Sequence, residues 1–355
     1  MKIQEVIVEK IDFGTTRPYT IAFKTVDKVE NVVVKLVLEN GVVGYGSANP
    51  SEQVVGESLE QCYVSLQDKA ADLLVGKDIR NFSQNLNLVQ GELSGTTGPR
   101  TALDIALHDA FTTYLGVPLV SFLGEWHKEL PTSITIGIKT VEETLAEAEE
   151  YIGRGFSYLK IKLGLNVEED IERLKKLRER FGVDVYIRVD ANQGYSDAEL
   201  YRFYQATRSL EIELIEQPLI SSDIEGLRKL QPALKKMIAA DESLRTPEDA
   251  LTLVHRPEAC GIFNIKLMKT GGILPARQIA QIADWHGIDL MWGCNDESII
   301  SISAALHAAF SCPNTFYLDL DGSLDLARDI VSGGFIIDEG YMRISGGPGL
   351  GLSPR

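Results

Sequence analysis

The sequence predicts an α/β protein: a modified TIM barrel, (β/α)7β, with an α+β capping domain formed by the amino-terminal segment and the carboxyl-terminal tail. Three observations predict it. After Pro131, short apolar runs alternate with amphipathic helical patterns until eight strands are counted. The charged residues that end four consecutive runs, Asp190, Glu216, Asp241 and Lys266, recur at steps of roughly 25 residues, the length of one strand-helix unit. Before Pro131, strands come first and helices follow, the order of an α+β unit. The expected spans are 1–125 for the capping domain, 126–322 for the barrel and 323–355 for the segment that returns to the capping domain.

Residues 1 to 50 read as a meander: Gln4–Ile11, Tyr19–Thr25 and Asn31–Leu38, with the turn Glu39-Asn40-Gly41 leading into Val42–Gly46. From Gly56 to Leu123 the period turns helical, most clearly over Thr101–Ala110. The barrel strands fall at Thr132–Ile138, Tyr158–Leu163, Val185–Val189, Ile212–Ile215, Met237–Ala240, Ile262–Leu267, Asp289–Trp292 and Thr315–Leu318. A typical intervening helix is Val167–Arg180, capped by Asn166 with Glu168, Glu169 and Asp170 in its first turn. An open doubly wound sheet would carry a Gly-x-Gly-x-x-Gly turn near its start, and none is found. After Asp321 come short strands and Gly-rich turns, without the strand-to-helix context or Gly-Lys-Ser/Thr of a phosphate loop.

At 355 residues the chain exceeds what one core usually supports, and its 44% hydrophobic content is that of a soluble globular protein. No apolar run is long enough for a membrane span, and Met1–Glu5 lacks the core of a signal peptide, so a cytoplasmic location is expected. The net charge of −16 argues against nucleic acid or an anionic membrane as partner. Cys62, Cys260, Cys294 and Cys312 have neither disulfide-framework nor zinc spacing and read as buried thiols. Self-association into a homo-oligomer is left open.

Tyr158–Leu163 places two lysines in an apolar strand. Residues two apart share a face, so Lys160 and Lys162 point the same way. Inside a barrel, desolvation and mutual repulsion favour a neutral amine, which can act as a base toward a carbon acid. On an edge strand the same lysines would only face water. Downstream, Asp190, Glu216 and Asp241 end three consecutive strands at the active-site face of such a barrel. One acidic strand end is usually a helix cap. Three in register repel one another unless a cation holds them, and an all-oxygen set suits one Mg2+. Lys266, ending the sixth strand, lies across the ring from Lys162. A substrate carboxylate on the metal would put its α-carbon between two amines on opposite faces, and the metal would stabilise the enediolate formed as the α-proton leaves.

Lys160-x-Lys162, Asp190-x-Asn192, Glu216, Asp241-Glu242 and Lys266-x-Met268 together resemble the enolase superfamily, specifically its muconate lactonizing enzyme subgroup, over the whole chain. The resemblance implies that Lys162 and Lys266 are the acid/base pair and that Asp190, Glu216 and Asp241 are the Mg2+ ligands. It also implies that Lys160 lowers a neighbouring pKa and helps bind the substrate carboxylate, with Asn192 behind these groups. Asp319-Leu320-Asp321-Gly322 resembles the signature of the dipeptide epimerases, in which the Asp-x-Asp pair binds the dipeptide α-ammonium; two same-face carboxylates suit a cation. The bland alternative is a capped turn before Gly322. In Gly293-Cys294-Asn295-Asp296-Glu297-Ser298 the sequence departs from the apolar pattern of Ala-Glu epimerases and resembles members that prefer cationic dipeptides. Asp296 there would repel a glutamate side chain and attract lysine or arginine, or it caps the following helix.

By the same resemblance Lys24, in a loop from Arg17 to Asn31, would meet the dipeptide carboxyl end and Thr135 would contact substrate; Glu52 is a second candidate anchor for a cationic side chain. The activity implied is a Mg2+-dependent dipeptide epimerase working by two-base 1,1-proton transfer. The alternatives are an L-Ala-D/L-Glu epimerase, an o-succinylbenzoate synthase or muconate cycloisomerase, whose anionic substrates Asp319 and Asp321 would oppose, and a non-catalytic binding protein on the same barrel.

Overall fold

The computed structural model describes residues 1–16, 19–21, 24–26 and 28–355, with side chains described for 1–16 and 28–355. The amino-terminal part contains β1 (Ile3–Asp12), β2 (Tyr19–Ile21), β3 (Lys24–Val26), β4 (Glu30–Leu38) and β5 (Val43–Ala48). It continues through α1 (Glu52–Val55), α2 (Leu59–Leu74), α3 (Phe82–Glu92), α4 (Gly98–Leu115) and α5 (Leu119–Leu123). The single meander expected over Tyr19–Thr25 is corrected: β1 pairs directly with β4, and β2 and β3 form a hairpin of their own. Alternation along Tyr19–Thr25 cannot tell which strand it pairs with.

The sheet β1-β4-β5 lies on α4. Gly44 and Gly46 of β5 make that approach possible, since a Cβ at Gly46 would stand 1.9 Å from the Ala102 carbonyl oxygen. Buried apolar residues of β4 (Val32, Val33, Val34, Leu36) and of α4 (Ala102, Leu103, Ala106) belong to the main core.

The barrel follows β6 (Leu130–Pro131) and begins with β7 (Ile134–Ile136), α6 (Val141–Gly153), β8 (Tyr158–Lys162), α7 (Val167–Phe181) and β9 (Tyr186–Asp190). Next come α8 (Asp197–Thr207), β10 (Ile212–Glu216), α9 (Ile224–Lys229), α10 (Pro232–Met237), β11 (Ile238–Ala240) and α11 (Pro247–Val254). It closes with β12 (Ile262–Ile265), α12 (Leu267–Thr270), α13 (Ile273–His286), β13 (Asp289–Gly293), α14 (Ile299–Phe310) and β14 (Thr315–Asp319). Strands β7 to β14 are parallel neighbours in chain order, and the ring closes where Thr132 bridges Leu318 and the Ser133 N–H donates to the Leu318 carbonyl at 2.9 Å. The helices start where their caps dictate. Thr140, Ser196 and Thr246 make reciprocal capping boxes, and the Asn166 side chain accepts from the N–H groups of Glu168 and Glu169 as expected.

Alternate strand residues point outward to the helices or inward to the barrel axis. The inward apolar layer is small: Leu214, Ala239, Ile262 and Met291, with Tyr317 against them. The next inward positions along the same strands are Glu216, Asp241, Asn264, Gly293 and Asp319. A polar site therefore sits on an apolar floor.

The tail, β15 (Val331–Gly333), β16 (Phe335–Asp338), β17 (Tyr341–Ile344) and β18 (Leu352–Pro354), returns to the start of the barrel and to α4. Strand β17 pairs with β6, and Leu119 N–H donates to the Gly349 carbonyl at 2.8 Å. Buried Asp109 of α4 joins three segments: its carboxylate accepts 2.8 Å bonds from the N–H groups of Tyr45 and Leu350. Asp104 on the same helix accepts from Ile273 N–H at 2.7 Å and so caps α13, while Thr101 Oγ1 donates to the Leu267 carbonyl at 2.9 Å. Helix α4 thereby holds the sixth strand-helix unit of the barrel.

Candidate active site

The site lies at the carboxyl ends of the barrel strands. Lys160 is 2% exposed, with Nζ 2.7 Å from Glu216 Oε2 and from Asp319 Oδ2, and 3.3 Å from Asp190 Oδ2. Lys162, one inward position further toward the rim, is more open, and its Nζ donates to Asp190 Oδ2 at 2.6 Å and to Asn192 Oδ1 at 3.1 Å. Lys266 stands on the far side of the ring, three strands beyond β9, and donates to Asp241 Oδ2 at 3.0 Å. The two lysines thus enter from β8 and β12, with the carboxylate-bearing ends of β9, β10 and β11 filling the arc between.

The electrostatics correct one expectation. Burial acts to neutralise Lys160 and Lys266, yet both are held above the ordinary lysine range. Asp319, Glu216 and Asp190 outweigh desolvation at Lys160, and Asp241 and Glu216 do so at Lys266. Attraction to buried carboxylates overrides both desolvation and lysine-lysine repulsion. In return, Asp190, which burial alone would raise, is drawn down to about 2 by Lys162, Lys160 and Lys266, and Asp241 is lowered by Lys266 and Lys269. Glu216 moves the other way, up to about 8, because burial and the adjacent Asp190 cost its anion more than Lys160 returns.

Those carboxylates fit a hard divalent cation. Glu216 and Asp190 are directly paired in the parallel register, and Asp241 follows β11, whose Ala239 pairs with Glu216. All three are 2% exposed or less. Each is drawn to an ammonium group: Glu216 to Lys160, Asp190 to Lys162 and Asp241 to Lys266. Glu216 Oε2 marks the deficit: it is near Lys160 without the angle of a hydrogen bond and accepts none. A buried oxygen that accepts no hydrogen bond, on a carboxyl whose anion is disfavoured by like neighbours, is what a bound cation would relieve.

At the opposite rim, the two aspartates after β14 differ. Asp319 is buried and already engaged, by Lys160 at Oδ2 and by Ser133 Oγ at Oδ1, both at 2.7 Å. Asp321 is partly exposed and accepts from the Thr135 N–H at 2.7 Å; burial and the neighbouring Asp319 push it up to about 7. The rim therefore presents Asp321, with Thr135 beside it. Asp296 lies partly exposed in the loop from β13 to α14. It is not the helix cap: Ser298 fills that position, its hydroxyl accepting from Ile300 N–H at 3.2 Å. Glu52 is exposed at the first position of α1. Lys24 begins β3, and its side chain lies outside the described residues, as do the other side chains of 17–27. Ser51, Val54 and Val55 line, with Lys266, Met268, Lys269 and Asn295, a space of about 10 Å3.

Four residues with a part in this geometry escape sequence reasoning. Lys269, one turn past Lys266 and 2% exposed, donates to the Asp241 carboxylate, to the Asp241 carbonyl at 2.6 Å and to the Asn264 carbonyl at 3.0 Å. Asn264 Nδ2 donates to Glu216 Oε1 at 2.8 Å. Gln217, at φ +31, accepts through Oε1 from the N–H groups of Asp241 and Ser243, which fixes the start of the Asp241 loop. Gly293 leaves room for the Lys266 stem, since a Cβ there would lie 3.0 Å from Lys266 Cε and 2.8 Å from Asn264 Oδ1. The signal for Asn264 is available in sequence, two residues before Lys266 on one strand face. Nothing in the sequence singles out Gln217.

Comparison with known proteins agrees with this geometry. Residues 3–124 match the mandelate racemase / muconate lactonizing enzyme N-terminal domain, and residues 143–355 match the enolase C-terminal domain-like family. The L-Lys-D/L-Arg epimerase of Desulforapulum autotrophicum is 54% identical over 352 residues, 99% of each chain. The L-Ala-D/L-Glu epimerase of Bacillus subtilis is 35% identical over 99% of this chain and 97% of its own. A crystal structure of a dipeptide epimerase from Methylococcus capsulatus, complexed with Mg and the dipeptide L-Arg-D-Lys, superposes with a TM-score of 0.97 at 50% identity and covers 99% of both chains. With both domains matched and relatives spanning nearly its full length, the chain belongs to the mandelate racemase / muconate lactonizing enzyme branch of the enolase superfamily.

Proposed function

We propose that this chain is a Mg2+-dependent dipeptide epimerase that inverts the α-carbon of the carboxyl-terminal residue and favours dipeptides with cationic side chains. The observation that carries the reading is the placement of Lys162 and Lys266 on strands across the ring, with three buried carboxylates in the arc between them.

Asp190, Glu216 and Asp241 would hold the ion, which supplies positive charge against the substrate carboxylate as its α-carbon loses a proton. The two lysines do the rest. Asp241 and Glu216, if engaged by the ion, would no longer hold Lys266 charged as they do here. Whichever of Lys162 and Lys266 is then neutral takes the α-proton from its own face; the other, as an ammonium, returns a proton to the same carbon from the opposite face, and the configuration inverts. Lys160, closed in by carboxylates, stays charged and contributes a fixed positive potential beneath the substrate carboxylate. Asp321 receives the dipeptide α-ammonium at the rim, with Thr135 beside it, and Asp319 holds Lys160 in place. Asn192 orients Lys162. Lys24 meets the dipeptide carboxyl end, and Asp296 and Glu52 attract a lysine or arginine side chain.

The cationic preference is supported by the acidic rim and by relatives of 50% identity and above, one an L-Lys-D/L-Arg epimerase and one solved with L-Arg-D-Lys. Four free thiols among the described residues suit a reducing cytoplasm. The same residues show no helix long and apolar enough to cross a membrane.

The test is incubation of L-Arg-L-Lys with the enzyme and MgCl2 in D2O. Formation of L-Arg-D-Lys with one deuterium at the lysine α-carbon is expected. Exchange-free recovery of the starting dipeptide, or faster turnover of L-Ala-L-Glu, contradicts the proposal.

A further inference from the structure

We infer that Asn31 and Asn49 of the capping domain determine the preference for cationic dipeptides by fixing the backbone of the loop that carries Asp296. The inference rests on the assignment of Asp296 as a reader of the cationic side chain.

Asn31, in β4, is fully buried, and both ends of its amide are used across the domain boundary. Its Nδ2 donates to the Asp296 carbonyl at 3.3 Å, and its Oδ1 accepts from Ser298 N–H at 3.0 Å. Asn49, just past β5, donates through Nδ2 to the same Asp296 carbonyl at 2.5 Å. Its own carbonyl accepts from Asn295 Nδ2 at 3.0 Å. Close by, Ser47 Oγ lies 2.8 Å from Ser301 Oγ. From the other side the loop is backed by Gly322, where a Cβ would fall 1.9 Å from the Asn295 carbonyl oxygen.

One carbonyl thus receives two side-chain amides, one from β4 and one from the residue that follows β5. A peptide plane held at its oxygen by two donors, with the next-but-one N–H also engaged, cannot rotate without breaking them. The Cα–Cβ direction of Asp296 follows that plane. Its carboxylate is therefore aimed by residues of another domain that do not themselves touch the reacting atoms. Asn31 and Asn49 are positioning residues, and a carboxylate displaced by about 1 Å loses most of a directional charge pairing.

The test compares kcat/KM for L-Arg-L-Lys and for L-Ala-L-Ala in the wild type, Asp296→Asn, Asn49→Ala, Asn31→Asp and the double variant Asp296→Asn/Asn49→Ala, with thermal melts of each. Asp296→Asn should lower the cationic-to-neutral ratio about tenfold, the size expected for one lost charge pairing. Asn49→Ala should lower the ratio about fivefold through KM for the cationic substrate, and should add nothing once Asp296 is Asn. Asn31→Asp keeps the acceptor for Ser298 N–H and removes the donor to Asp296, so it carries the same test if Asn49→Ala fails to fold. Equal losses on both substrates, or a loss undiminished in the double variant, would overturn the inference while leaving Asp296 as the reader. An unchanged ratio in Asp296→Asn would overturn the assignment of Asp296, and the inference with it.

Discussion

Lys160 Nζ lies 2.7 Å from Glu216 Oε2 inside the barrel, and this contact is the main relief available to the least comfortable carboxylate of the site. Asp190 and Asp319 share the same ammonium. Replacing Lys160 with Met leaves three buried carboxylates around an uncharged side chain. The apoprotein should lose about 3–5 kcal/mol, and added Mg2+ should raise its melting temperature by more than it raises that of the wild type. Denaturant melts with and without the ion measure both. A smaller Mg2+ response in the variant would show that Lys160 and the ion do not compensate the same charges.

Lys269 sets the orientation of Asp241 through its side-chain and backbone oxygens. Lys269→Met should weaken Mg2+ binding by about 10- to 100-fold, as loss of a group orienting a ligand commonly does, and Lys269→Arg should restore part of it. Titration calorimetry with Mg2+ alone reads the effect. Unchanged affinity in the Met variant would assign Lys269 to packing only.

Gly293 faces the stem of Lys266, and a methyl group there would stand 3.0 Å from Lys266 Cε and 2.8 Å from Asn264 Oδ1, both inside van der Waals contact. Both are movable side chains, so Gly293→Ala should cost no more than about 1–3 kcal/mol in stability. The displaced amine should lower kcat by about tenfold or more with KM little changed. A KM effect without a kcat effect would place the clash on the substrate instead.

Asp109 gives a pH dependence to stability. Burial pushes its carboxyl up to about 6 despite the N–H bonds from Tyr45 and Leu350. In the unfolded chain an aspartate titrates near about 3.9, so between these values the folded state binds the proton more tightly. The stabilisation is fully present below the lower value and is lost as pH rises through the upper one. The melting temperature of the wild type, relative to Asp109→Asn, should fall between about pH 4 and about pH 7. A constant difference across that window would remove Asp109 as the cause.

Much of the fold and part of the site are legible in the sequence, for a physical reason. A charged residue at the end of an apolar strand has few structural uses, so Asp190, Glu216, Asp241 and Lys266 announce both the barrel register and its polar end. Asn166 likewise announces the start of α7. What is not legible depends on partners far away in the chain. The β2-β3 hairpin looks like a middle strand because alternation does not name a neighbour. The raised lysines follow from the number of carboxylates that fold around them, which Tyr158–Leu163 alone does not reveal. Asp319 and Asp321 look equivalent as Asp-x-Asp, and only the approach of Lys160 and Ser133 separates the buried carboxylate from the partly exposed one. Gln217 and Lys269 act through backbone atoms of the Asp241 loop, a kind of contact with no pattern in sequence.

The two-base assignment is tested most directly by α-deuterium wash-in measured separately on L-Arg-L-Lys and L-Arg-D-Lys in D2O. The wild type should exchange both. Lys162→Ala and Lys266→Ala should each lose epimerisation, and each should retain exchange on one stereoisomer, the opposite one in the two variants. Exchange of both stereoisomers by either variant, or retention of the same stereoisomer by both, would contradict a pair of lysines acting from opposite faces.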